Sequence, residues 1–145
     1  MSSVSVHSIP IHCQIYDLTI VTACSEQPST DTILRHDDPF SVQVSLGFQG
    51  NNAIALLALT PIIQVDFYAR PLQAGSTLDL GVATLETVID SMSYTAALHL
   101  DAPSKTGLTA AAVYRIGALV RIGALEQPAL LCGVLEDFVV QIHSG

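Results

Sequence analysis

Five histidines are the side chains best suited to metal or acid–base chemistry in this chain: His7, His12, His36, His99 and His143. They occur singly, with no H-x-H or H-E-x-x-H spacing to set two imidazoles on one ion. On strands, His12, His99 and His143 fall on outward faces, and three strands could gather them into a metal site that no motif signals. Asp37-Asp38-Pro39 offers two loop carboxylates for Ca²⁺, but EF-hand spacing is missing and a turn before a strand accounts for them. Glu136-Asp137 is a second acidic doublet. Neighbours on a strand point to opposite faces, so these two serve one substrate only where a bulge re-aims one of them.

Other chemistries find less. Ser104-Lys105-Thr106-Gly107 matches only the end of the phosphate-loop pattern: the upstream glycine is absent and no helix is expected to follow. It reads as a solvated hairpin tip. There is no G-x-S-x-G elbow, and a Ser/His/Asp triad would have to be assembled by the fold. Cys13, Cys24 and Cys132 are an odd set without C-x-x-C spacing, so they read as reduced, buried thiols. No catalytic residue, metal ligand or cofactor is assigned.

One arginine pair is more telling. Arg115-Ile-Gly-Ala-Leu119 recurs as Arg121-Ile-Gly-Ala-Leu125. On a helix six steps rotate by about 600°, turning the two copies apart. Two glycines would each cost a helix about 1 kcal/mol. On a strand six is an even count, so the copies superpose. Tyr114, Ile116, Ala118, Val120, Ile122 and Ala124 then form a core face, and Arg115, Leu119, Arg121 and Leu125 an outer face. Arg115 and Arg121 stand about 20 Å apart on that face. A hexapeptide β-helix needs at least three copies, and there are two. The outer set is the candidate interaction face, leucines making apolar contact and arginines pairing with a neighbour's acidic groups.

The elements that must carry these residues alternate with period two. Phe40–Phe48 puts Phe40, Val42, Val44, Leu46 and Phe48 inward. Ile62–Arg70 does so with Ile63, Val65, Phe67 and Ala69, and Ser93–Leu100 with Tyr94, Ala96, Leu98 and Leu100. Leu78, Leu80 and Val82 begin a weaker strand. Ile11–Thr22 is strand-like with a phase slip at Tyr16. Leu130–His143 is the last strand, with a bulge or break expected at Glu136-Asp137. Ala53–Leu59 fits strand or helix. Residues 25–39 read as a crossover loop with a short edge strand at 32–35.

These patterns predict an all-β fold, an antiparallel β-sandwich of about seven to nine strands. With the segment Gly107–Val120 as penultimate strand and Phe138–His143 as last, the order resembles an immunoglobulin-like or fibronectin-like sandwich. The Cys…Trp…Cys signature of antibody domains is absent, since there is no Trp. Residues 1–145 are read as one domain, with 1–10 a candidate flexible arm.

Composition narrows the partners. Charged residues make up 12% of the chain, the formal net charge is −8, and only Arg35, Arg70, Lys105, Arg115 and Arg121 are basic. Nucleic acid and anionic membranes both demand clustered basic residues and are not expected as partners. The N-terminus lacks a signal core, so a cytoplasmic location is expected. Scarce charge leaves apolar surface, including Tyr68, Ala97 and Val139, for a protein partner or a second copy. The expected function is a non-catalytic interaction or assembly module that self-associates. The alternative is a carrier holding a small apolar ligand beside inward-facing Ala96, Ala118 and Ala124. A hydrolase or metal enzyme is the third reading.

Overall fold

The computed structural model describes residues 12–22, 25–29, 33–50, 54–55, 57–124 and 127–143; for residues 12, 25–29, 124, 127–132 and 137 it describes the backbone only. The described residues form nine strands: β1 (His12–Thr22), β2 (Ser25–Ser29), β3 (Ile33–Arg35), β4 (Phe40–Gln49), β5 (Ile62–Pro71), β6 (Leu78–Glu86), β7 (Ser93–Leu100), β8 (Val113–Ala124) and β9 (Gln127–His143). The fold is all-β. One sheet runs β2-β1-β4-β7 and the other β3-β9-β8-β5-β6. No helix among the described residues is long and apolar enough to cross a membrane.

Alternation builds the core. Phe40, Val42, Val44, Leu46 and Phe48 on β4 are buried, as are Ile63, Val65, Phe67 and Ala69 on β5. Tyr114, Ile116, Ala118, Val120 and Ile122 on β8 join them in one cluster, with Phe138, Val140 and Ile142 from β9. Each large side chain so buried contributes roughly 1.5–3 kcal/mol of transfer free energy. The two halves of the stutter, as far as Ala124, therefore lie on one strand, as their even spacing requires, with β8 paired to β5 on one side and β9 on the other.

The irregularities have local causes. β1 slips between Tyr16 and Thr19, where Asp17 adopts φ 53°. Asp tolerates that left-handed conformation better than most residues. β9 bulges at the second acidic doublet: Ile116 faces Phe138 and Ala118 faces Leu135, so Gly117 alone spans Glu136 and Asp137.

Four readings need correction. β3 runs parallel to β9, so the second sheet is mixed and not wholly antiparallel. Ser25–Ser29 is a strand on β1 and not a loop. Val82 points outward, because the ladder breaks beside Gly81, which adopts φ +136°, and shifts the inward phase to Ala83 and Leu85. Ser104-Lys105-Thr106 lies on a helical turn, α1 (Pro103–Thr106), closed by Gly107 in the left-handed conformation, instead of on a hairpin tip. Beyond Asn52, the Ala58 amide donates to the Ile54 carbonyl at 3.1 Å, the bond of a helical turn. Residues 1–10, Cys24 and Leu125 lie outside the described residues.

Candidate interaction face

The outer surface of the five-stranded sheet is built on β8. Arg115, Leu119 and Arg121 all stand on it, with alternate residues buried beneath them. Tyr68 and Val139, expected outward, join the same surface, opposite Gly117 and Arg115 respectively. Ala97 is exposed but belongs to β7 of the other sheet.

Rows across the sheet complete the surface. Leu119 stands between Asp66 on β5 and Val134 on β9, with Val82 beyond Asp66 on β6. Val82 is 46% exposed and Val134 51%. Arg121 stands opposite Gln64 and lies 3.6 Å from the Asp66 carboxylate, to which Gln64 Nε2 also donates at 3.3 Å. Asp66 of the same chain thus supplies the acidic partner that sequence reasoning sought on a neighbour.

A polar cluster occupies the other end. Arg70 on β5 reaches over β8 to Glu136 on β9 and holds it in a fork: Nη2 donates to Oε2 at 2.8 Å, and Nε lies 2.8 Å from Oε1. Gly117 on β8, opposite Glu136, leaves space above the sheet because it has no side chain. Tyr68 fills that space, its ring against Gly117 and its phenol hydrogen-bonded to Glu136. Partial burial first, then the Glu136 charge and hydrogen bond, push the Tyr68 phenol above its ordinary value, while Arg70 pulls the other way. The bulge is what aims Glu136 at this cluster.

Arg115 is the outlier. It stands directly opposite Arg70, whose charge Glu136 already balances. Its Nε is buried with no hydrogen-bond partner among the described residues. A buried donor left unpaired costs about 1–3 kcal/mol.

The other sequence candidates stay apart. His12 pairs with Gln49 and His99 with Ser41. Those positions lie about 27 Å apart along β4. His143 is on the opposite sheet, beside Arg35. Among the described residues no three His, Cys, Asp or Glu side chains come together as metal ligands. Ser41 Oγ and His99 Nδ1 share a hydrogen bond of 2.6 Å. Among the described residues no carboxylate holds that imidazole, as the third member of a serine-hydrolase triad would. Asp38 lies 3.7 Å from Arg35 in the turn before β4. Ala96 and Ala118, the described members of the proposed ligand lining, are fully buried within the core. An open groove of about 380 Å³ lies elsewhere, between the β5–β6 loop and the approach to β8, lined by Pro71, Gln73, Leu78, Thr109 and Tyr114 among others.

Comparison with known proteins assigns no family: no family model matches the chain, and neither does any curated protein. Similar solved structures include a β-glucosidase from Listeria innocua in complex with glucose, at 9% identity and TM-score 0.47, covering 92% of this chain and 16% of that one. An alkylpurine DNA glycosylase from Pseudomonas fluorescens, bound to DNA containing an abasic site analog, is similar at 11% identity and TM-score 0.43. That match covers 91% of this chain and 30% of the glycosylase. The chain thus spans well under a third of the glucosidase and under a third of the glycosylase.

Proposed function

We propose that the chain is a non-catalytic interaction module, immunoglobulin-like in strand order, that assembles by docking the outer face of its five-stranded sheet onto a protein surface bearing carboxylates. Support for the architectural half comes from β1-β4-β7 lying in one sheet and β6-β5-β8-β9 in the other. The Thr109 amide also donates to the Tyr114 phenol at 2.9 Å, as in the tyrosine corner near the start of a penultimate strand.

The functional half rests on Arg115. This face gathers three of the chain's five basic residues, Arg70, Arg115 and Arg121, around Leu119 and Val134. Arg70 and Arg121 have carboxylates of their own, whereas Arg115 has no ion pair among the described residues. A carboxylate brought by a partner gives the Arg115 guanidinium the counter-charge it lacks, and the adjoining apolar side chains supply the contact area. Copies of a chain with net charge −8 are one source of such carboxylates.

Sedimentation velocity across the micromolar range tests the reading. Association through this face should weaken as salt is raised, and Arg115→Glu or Leu119→Glu should each weaken that contact by about tenfold or more. Association indifferent to both substitutions counts against the face.

A further inference from the structure

We propose that β7 is a self-pairing edge, through which two copies of the chain join antiparallel and extend the four-stranded sheet from one copy into the next. β7 ends that sheet, so among the described residues no strand pairs with its outer rim. Its sequence, Ser93-Tyr-Thr-Ala-Ala-Leu-His-Leu100, contains no Asp, Glu, Lys, Arg, Pro or Gly. It pairs with β4 without a register break from Leu100 to Ser93, so the rim is straight.

The other three sheet ends are guarded. β6 carries a register break beside Gly81, and charges at Asp79 and Glu86. β2 contains Glu26 and Pro28, and its register with β1 shifts. β3 has only three residues. Breaks, charge, proline and shortness are the devices by which proteins keep sheet edges from pairing, and β7 has none of them.

A second copy fits this rim on two counts. Two chains of net charge −8 repel, and the approach that opposes fewest charges is through a strip that carries none. The strand is also self-complementary. A two-fold axis through Ala97 sets Thr95 opposite His99 of the second copy, and Ala96 opposite Leu98. Small polar groups then meet on the solvent side, and apolar groups meet on the core side. Ala97, Thr95 and His99 are exposed, so the rim is accessible from that side.

This edge is independent of the docking face, and salt separates them. Pairing through an uncharged strand between like-charged copies tightens as salt screens their repulsion, whereas an arginine–carboxylate contact loosens. The test is sedimentation velocity of the full chain in low and high salt, with hydrogen exchange on the β7 amides. The expected result is a dimer that salt strengthens, with β7 amides protected at high protein concentration and exposed at low. Ala97→Lys, on the solvent side of the strand, should abolish the dimer while far-UV circular dichroism stays unchanged, and Leu119→Glu should leave it intact. A monomer throughout the micromolar range, or a dimer that survives Ala97→Lys and dissociates with Leu119→Glu, overturns the edge. The second of those outcomes leaves the docking face standing.

Discussion

Tyr68 and Gly117 are direct cross-strand partners, and the phenol ring rests where any larger residue at 117 would place its Cβ. The Gly117 vacancy is therefore already occupied by a neighbour's ring. Gly117→Ala must drive the ring aside and with it the phenol contact to Glu136. The gain of roughly 0.5–1 kcal/mol that alanine ordinarily brings to a strand is smaller than the overpacking cost of about 1–3 kcal/mol. We expect a lower urea midpoint at unchanged slope, with most of the loss recovered when Tyr68→Ala is added. A Gly117→Ala protein as stable as the parent would refute this overlap.

The Tyr68 phenol gives a signature at alkaline pH. Its pKa is raised above 10.0 by burial and by Glu136. In the unfolded chain the group ionises at its ordinary value, so the unfolded state loses its proton first. The stabilisation is then whole below pH 10.0 and is lost as pH climbs from there through the raised value. Against Tyr68→Phe, the parent should lose stability over that range only. Spectrophotometric titration should find a late-ionising tyrosine that moves earlier in Glu136→Gln, because the Glu136 charge that helps raise it is gone.

Much of the fold is legible in the sequence because burial on alternate residues leaves a local record. The inward residues of β4, β5 and β8 follow from the even spacing alone. Glu136-Asp137 announces its bulge, since one strand cannot turn both charges outward without an extra residue. β2 leaves no such record: Ser25-Glu-Gln-Pro-Ser29 has no apolar alternation and is a strand only because β1 offers it a ladder. One glycine, Gly81, is enough to reverse the phase of Val82. Spacing on a single strand puts Arg115, Leu119 and Arg121 on one face. That Arg70, Tyr68 and Glu136 join them depends on β5 and β9 flanking β8, a non-local pairing that periodicity does not encode.

Glu136 is the hinge of the charge balance on this face. It neutralises Arg70, which stands opposite Arg115. Glu136→Gln leaves two guanidinium groups facing each other, whereas Arg70→Gln removes the conflict along with the ion pair. Arg70 is about half exposed, so solvent screening holds the effect to about 1 kcal/mol or less. Chemical denaturation at low salt should rank Glu136→Gln below Arg70→Gln, and high salt should narrow the gap. Adding Arg115→Gln to Glu136→Gln should recover stability.

Ala118 decides between a packed core and a cavity that could hold a ligand. Its side chain is fully buried on β8 and lies in one continuous cluster with Phe67 and Val120. Phe67 is its direct partner across the ladder, so large and small side chains alternate there as close packing requires. Three extra carbons at this point meet occupied volume. Ala118→Leu should therefore cost about 1–3 kcal/mol, read as a lower thermal or urea midpoint. A carrier with an open interior behaves oppositely: the larger side chain fills empty space and raises the midpoint while excluding the ligand. The exposed Val82 serves as the control, since Val82→Ala touches no core and should stay within about 0.5 kcal/mol of the parent. A stabilised Ala118→Leu protein beside an unchanged control would reopen the carrier reading.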